Sequence, residues 1–213
     1  MTLQMDHHKS LQLQATVRNI VPKARKEEMD FFVSGLSYQS LNSKQFLIQS
    51  DQTPNNVAFV NKALLRMFYI DQQGNEINTH FMPENDWATE YLSFITQSSK
   101  HTIQVLEPCA LVLLPYKHMQ SCYNSYSVFE RLGRLIAEEV IKMLQGRIES
   151  LLFISPADRY TNFMFQFPHL YNRISLTMLS SYLGIERPSL SRIRKRLVAK
   201  IVCNLGDRYK LKT

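Results

Sequence analysis

The chain has 213 residues, 45% of them apolar and 20% charged. That suits one large domain or two modest ones around a real core, and excludes a disordered chain. The formal net charge of +7 is unevenly placed: residues 171–213 hold ten of the 25 Lys and Arg but only two acids, Glu186 and Asp207, of the 18. Such a concentration points that segment toward a polyanion or an anionic membrane surface, and charge alone does not choose between them. No apolar run is long enough to cross a membrane. The opening MTLQMDHHKSLQLQ is polar and carries no signal-peptide core, so a cytoplasmic protein without a membrane partner is expected. Cys109, Cys122 and Cys203 are odd in number and widely spaced, and read as isolated thiols.

Residues 10–36 read as two helical stretches separated by Pro22, with Gly35 as a stop. From about Tyr38 to Pro115 the texture becomes short β-rich runs at 45–49, 56–60, 64–70, 76–82, 101–105 and 110–114. DQQGNE, between Ile70 and Ile77, is a Gly-containing hairpin connection. Many short strands at close spacing predict a small barrel or jelly roll of roughly eight strands. Phe81, Trp87, Tyr91 and Phe94 either belong to its core or line an apolar pocket.

After Pro115 the period turns helical. Val128, Leu132, Leu135, Ile136, Val140, Met143, Leu144, Ile148 and Leu151 recur at spacings of three and four, one stripe on a long helix. That stripe packs on its own domain or on the same stripe of a second chain. Ser155–Pro156 starts a short helix that ends before Pro168.

Residues 173–200 carry the most specific signal. Ser175 can cap a two-turn helix whose Leu176, Leu179 and Leu183 share a face. Gly184 supplies a turn where the backbone must go left-handed. Ile185 plugs that turn, Pro188 sits in the first turn of the next helix, and Leu190, Ile193 and Leu197 form its buried face. The other face offers Arg187, Ser189, Ser191, Arg192, Arg194, Lys195 and Arg196. Two short helices, a glycine turn and a basic, serine-bearing second helix suit entry into the major groove of DNA. There, arginine pairs with guanine O6 and N7 for about 1–3 kcal/mol of discrimination. A helical hairpin with a merely solvated basic face is the bland alternative.

This stretch, SSYLGIERPSLSRIRKRL, resembles without a gap the turn and recognition helix of the Crp–Fnr family of transcription regulators, above all its Bacteroidetes-type members. RLGRLIAEE (131–139) and SPADRY (155–160) resemble the start of that subgroup's dimer helix and the helix after it. The resemblance implies an α+β architecture. A cyclic-nucleotide-binding-like β-roll sensor (1–117) would be followed by a linker and dimerisation helix (118–153) and an all-α helix-turn-helix domain (154–213). It implies a cytoplasmic homodimer that reads a two-fold operator in double-stranded DNA, with RNA polymerase as a further candidate partner. Arg187 and Arg192 match the base-contacting positions, and Ser175, Thr177 and Ser189 match phosphate or near-phosphate positions. Ser191 and Lys195 complete the expected DNA face. Pro188 stands where relatives commonly carry Glu, so a different operator is expected, since proline cannot accept from cytosine N4. Residues after Lys200 are few for the family's winged hairpin.

In the family's phosphate cassette, Glu90 stands at the glutamate position and Thr89 replaces the preceding glycine. The arginine position falls at about Ser99. Lys100 is adjacent but lacks the planar fork, so tight cyclic-nucleotide binding is not expected and no cofactor is assigned. Another small-molecule effector is left open. No HExxH motif, nucleophile motif or Gly-rich phosphate loop joins the six histidines, among them the adjacent His7 and His8, so neither an enzyme nor a metal site is expected. The rival reading of the whole chain is a β-roll sensor or scaffold dimer that does not bind DNA.

Overall fold

The computed structural model describes residues 2–197, with side chains from Lys9 onward. It divides into two compact units, residues 1–144 and 145–213.

The N-terminal unit opens with α1 (Thr2–Ile20) and α2 (Lys26–Ser34), separated at Val21–Pro22 as the sequence predicts. The Arg25 backbone N–H donates to Glu28 Oε2 at 2.6 Å, closing the first turn of α2. Gly35 ends α2 as expected, at φ −98°. Its real constraint is space: a Cβ there would lie 2.2 Å from the His118 ring. That ring is held with Nε2 at 3.1 Å from both the Phe31 and Phe32 carbonyl oxygens.

Eight strands follow: β1 (Ser37–Leu41), β2 (Phe46–Ile48), β3 (Asn56–Lys62), β4 (Leu65–Ile70), β5 (Glu76–Met82), β6 (Trp87–Ala88), β7 (Thr102–Val105) and β8 (Cys109–Pro115). They form two four-stranded antiparallel sheets, ordered β1-β8-β3-β6 and β2-β7-β4-β5. The β4–β5 hairpin turns through Gly74 at φ +84°, with Asp71 Oδ1 accepting from the Gln73 and Asn75 N–H groups. A short helix, α3 (Ser93–Thr96), lies between β6 and β7.

Strands β3 and β8 read as unbroken apolar runs because both of their faces are covered. Side chains alternate across a strand. Val57 and Phe59 of β3, with Val112 and Leu114 of β8, join a core shared with the helical residues Leu13, Val17, Phe32 and Phe129. Ala58 and Val60, with Leu111, face the second sheet and meet Leu65, Met67, Ile103 and Val105. Cys109 and Cys122 are free and buried.

Helix α4 (Tyr116–Ser125) precedes the 27-residue α5 (Ser127–Phe153). The apolar stripe of α5 has two destinations. Phe129 and Leu132 are buried in the first core, with Val128, Leu135 and Ile136 packed against it. From Val140 onward the apolar side chains are exposed: Ile141 by 63%, Ile148 by 58% and Leu152 by 70%. No helix among the described residues is long and apolar enough to cross a membrane.

Candidate nucleic-acid interface and effector site

The C-terminal unit is built by caps. Helix α6 (Pro156–Gln166) starts at Ser155, whose hydroxyl accepts from the Asp158 N–H and donates to the Asp158 carboxylate at 2.7 Å. It buries Tyr160 and Phe163. Helix α7 (Leu176–Leu183) starts at Ser175, whose Oγ accepts from the Met178 N–H at 3.1 Å, and it buries Leu179 and Leu183. Gly184 follows at φ 61°, ψ 41°. Its N–H reaches the Ser181 carbonyl at 3.3 Å, and the Ile185 N–H reaches Ser180 at 3.0 Å, satisfying carbonyls that the helix leaves open. Ile185 is buried. Residues 187–197 are again helical (α8), with Pro188 in the first turn and Leu190 fully buried.

At 3.6 residues per turn, positions 187, 188, 191, 192, 195 and 196 fall on one half of α8. Exposure follows that arc: Arg187, Pro188, Arg192, Lys195 and Arg196 are exposed and Ser191 half-buried, while Leu190, Ile193 and Leu197 line the opposite side. Arg187, Ser191, Arg192 and Lys195 therefore share a surface, joined by Arg196, which the sequence reading placed on the polar face but not among the site residues. Ser189 lies at the edge of the arc and is half-buried. Arg194 leaves the arc. Its Nη2 donates to the Tyr171 hydroxyl at 2.6 Å and its guanidinium lies 5.0 Å from that ring's centroid. Burial holds the neighbouring Tyr160 hydroxyl above the usual tyrosine range, although Arg194 opposes that shift. On α7, Thr177 is exposed, and Ser175 keeps a hydroxyl proton to donate while its oxygen caps the helix. The winged-hairpin expectation after Lys200, and Cys203, lie outside the described residues, as do the side chains of His7 and His8.

In the β-roll, Thr89 and Glu90 follow β6 directly. The Glu90 backbone carbonyl accepts from the Ser93 hydroxyl at 2.5 Å and its N–H at 3.1 Å, anchoring α3. The Glu90 side chain is 10% exposed. Its Oε1 lies 3.7 Å from His101 Nδ1, while Oε2 and Thr89 Oγ1 are enclosed with no hydrogen-bond partner among the described residues. The His101 ring meets the edge of Tyr69 with centroids 6.0 Å apart. Ser99 is wholly buried and committed to its own turn, donating to the His101 carbonyl at 2.7 Å and accepting from the His101 N–H at 3.2 Å. Lys100 is exposed. Thr89 and Glu90 thus lie just after β6 and Ser99 and Lys100 just before β7. Glu90 is joined by His101, in the sequence only one histidine among six, without a motif. Just ahead, burial raises the Asp86 carboxyl above its usual range while the Trp87 N–H, donating at 2.8 Å, opposes it.

Of the aromatic candidates, Phe94 is buried and stacks on Tyr116 at 4.3 Å, Trp87 meets Phe59 edge-on within the first core, and Tyr91 is 47% exposed. A hollow of about 470 Å³ opens beside Phe94 and Tyr116, between Thr53, Asn55, Gln97 and Lys117. None of Thr89, Glu90, Ser99 or Lys100 lines it. No group of three or more His, Cys, Asp or Glu among the described residues is placed to hold a metal ion.

Residues 38–126 match the family model described as the cyclic nucleotide-binding domain. No curated protein sequence matches the chain. Among solved structures, the chain is similar to FixK2 from Bradyrhizobium japonicum, with a TM-score of 0.69 and 13% identity over 78% of this chain and 85% of that one. It is similar to the c-di-GMP-responsive global regulator CLP from Xanthomonas campestris, with a TM-score of 0.65 and 12% identity over 83% and 93% of the two chains. A protein from Eubacterium rectale described as a Crp/Fnr-family transcriptional regulator gives a TM-score of 0.66 at 14% identity over 85% and 87%. At these identities the likeness establishes a shared fold.

Proposed function

We propose that the chain is a DNA-binding transcription regulator of the Crp–Fnr type. It acts as a homodimer, inserts α8 into the major groove and does not depend on cAMP. The observation that carries this reading is the exposed half of α8: Arg187, Ser191, Arg192, Lys195 and Arg196 share one surface, while Leu190 roots the helix in its own unit. A basic helix held rigidly by a buried leucine can present side chains to base edges and phosphates together. The similar structures support the reading, since their described members include global and Crp/Fnr-family regulators. Arg187 and Arg192 read bases, whereas Ser175, Thr177, Ser189, Ser191 and Lys195 position the backbone of the duplex. Ile141, Leu144, Ile148 and Leu151 repeat at intervals of three and four, the spacing of a two-helix seam, and are exposed. This favours pairing of α5 with its copy.

The test is recovery of bound DNA from a randomised pool, followed by fluorescence anisotropy across a salt series. Roughly six phosphate contacts per dimer give a log–log salt slope of about −5. Arg192→Ala should lower affinity for the selected site by about 1–3 kcal/mol and leave random DNA nearly unchanged. Lys195→Ala should weaken both alike. Absence of salt-dependent, competitor-resistant binding to any recovered sequence would leave the β-roll scaffold dimer as the reading.

A further inference from the structure

We propose that Arg147 and Arg159 are positioning residues for α8, and that sequence selectivity depends on them although neither belongs to the exposed arc. The inference rests on the DNA-binding reading and names what fixes the reader in place.

The end of α5 and the turn before α8 meet through these two side chains. Arg159, in α6, donates from Nη1 to the Ile154 carbonyl at 2.9 Å and the Leu151 carbonyl at 3.3 Å, and from Nη2 to the Gly184 carbonyl at 3.3 Å. One planar fork thus spans the last turn of α5 and the glycine turn. Arg147, in α5, donates from Nη2 to the Tyr182 carbonyl at 2.8 Å and lies 4.1 Å from the centroid of the Tyr182 ring. Both acceptors, Tyr182 and Gly184, belong to the C-terminal end of α7, where helix carbonyls lack intrahelical donors and cations are favoured. Leu151 also leaves little room beside the turn: a Cβ built on Gly184 would lie 3.0 Å from Leu151 Cδ2.

Only Ile185 and Glu186 separate Gly184 from α8. Fixing the Gly184 carbonyl therefore fixes the entry of the reading helix, and base readout tolerates small misplacement far less than phosphate contact does. A guanidinium holds two acceptors in one plane, whereas an ammonium is a point donor that cannot. Arg159→Lys and Arg147→Lys keep the charge and remove the fork, so they separate positioning from electrostatics.

The experiment uses the full-length protein and its selected DNA site, with random DNA in parallel. Arg159→Lys should bind the selected site at least tenfold more weakly, with random-DNA affinity within twofold and the salt slope unchanged. Amide hydrogen exchange over residues 176–197 should quicken while that of α6 stays constant. Arg147→Lys should follow the same pattern more weakly. If Arg159→Lys keeps the full ratio of selected to random affinity, the inference is overturned while the DNA-binding reading stands. If it loses both affinities and α6 protection together, the arginine serves folding and the inference is likewise overturned. A wild-type chain without sequence-selective binding overturns the DNA reading and this inference with it.

Discussion

Gly184 offers the sharpest test of how the C-terminal unit is built, because its backbone angle and its neighbour can both be turned into a magnitude. At φ 61°, ψ 41° it occupies the left-handed region, where an L-residue's Cβ crowds the following carbonyl at a cost of about 1–2 kcal/mol. A Cβ added there also comes 3.0 Å from Leu151 Cδ2, the end of a flexible side chain that can turn aside. Gly184→Ala should therefore cost about 1–2 kcal/mol, chiefly through the backbone. Asn tolerates this conformation better than Ala, so Gly184→Asn should cost less. For a unit of this size, the Ala variant should melt roughly 4–16 °C lower.

The assay is thermal melting followed by far-ultraviolet dichroism, with amide exchange over residues 176–190 to localise the loss. The single tryptophan, Trp87, lies in β6, so its fluorescence reports the β-roll and serves as the internal control. An Ala variant as stable as the native chain, or Ala ranking above Asn, would refute the left-handed turn.

Other outcomes follow from the same geometry. Ile148 is 58% exposed. Burying that remainder in a homodimer is worth about 1–1.5 kcal/mol per copy, so Ile148→Asp should weaken the dimer by roughly 30- to 150-fold in sedimentation equilibrium. An unchanged dissociation constant would place the interface elsewhere. Burial pushes the Cys122 thiol up to about 11 and raises Cys109 as well. Peptides carrying either residue should resist iodoacetamide at pH 8 in the native protein and react after urea, whereas rapid native labelling of Cys122 would contradict the packing of α4. Titration calorimetry should give no micromolar affinity for cAMP, and a micromolar constant would overturn the proposed cAMP independence.

What the sequence revealed depended on whether the determining chemistry was local. Pro22 separates two helices by its own ring, Ser175 caps α7 through a bond three residues away, and Gly184 turns left-handed because it has no Cβ. All three were legible. The runs at β3 and β8 were legible as strands, but their burial on both faces was not, since it depends on which layers cover them. Strands β1 and β6 escaped because SYQSL is mostly polar and WA too short to show a period. The α5 stripe reads as one surface, yet it is shared between a core at Phe129 and Leu132 and an exposed seam beyond Val140. Gly35 stops α2 as its place in the sequence predicts, but the crowding by His118, more than eighty positions away, has no sequence signal. His101 had no signal at all, because only the fold brings it to Glu90.

The arginines show most clearly where sequence reading ends and structure begins. In the sequence, Arg194 shares a polar face with Arg187 and Arg192, and nothing gives Arg147 or Arg159 a role. The structure sorts them by internal acceptors. Arg194 is drawn to the Tyr171 hydroxyl and ring, and Arg147 and Arg159 spend their donors on the Tyr182, Gly184, Leu151 and Ile154 carbonyls. Arg187 and Arg192 stand on the exposed arc. A guanidinium committed to backbone carbonyls is a strut, because leaving those carbonyls would strip them of their partners. A guanidinium on an exposed arc can exchange its waters for phosphate or guanine. In the β-roll the buried Arg66 is likewise held internally, by Glu76, Gln104 and Asn78.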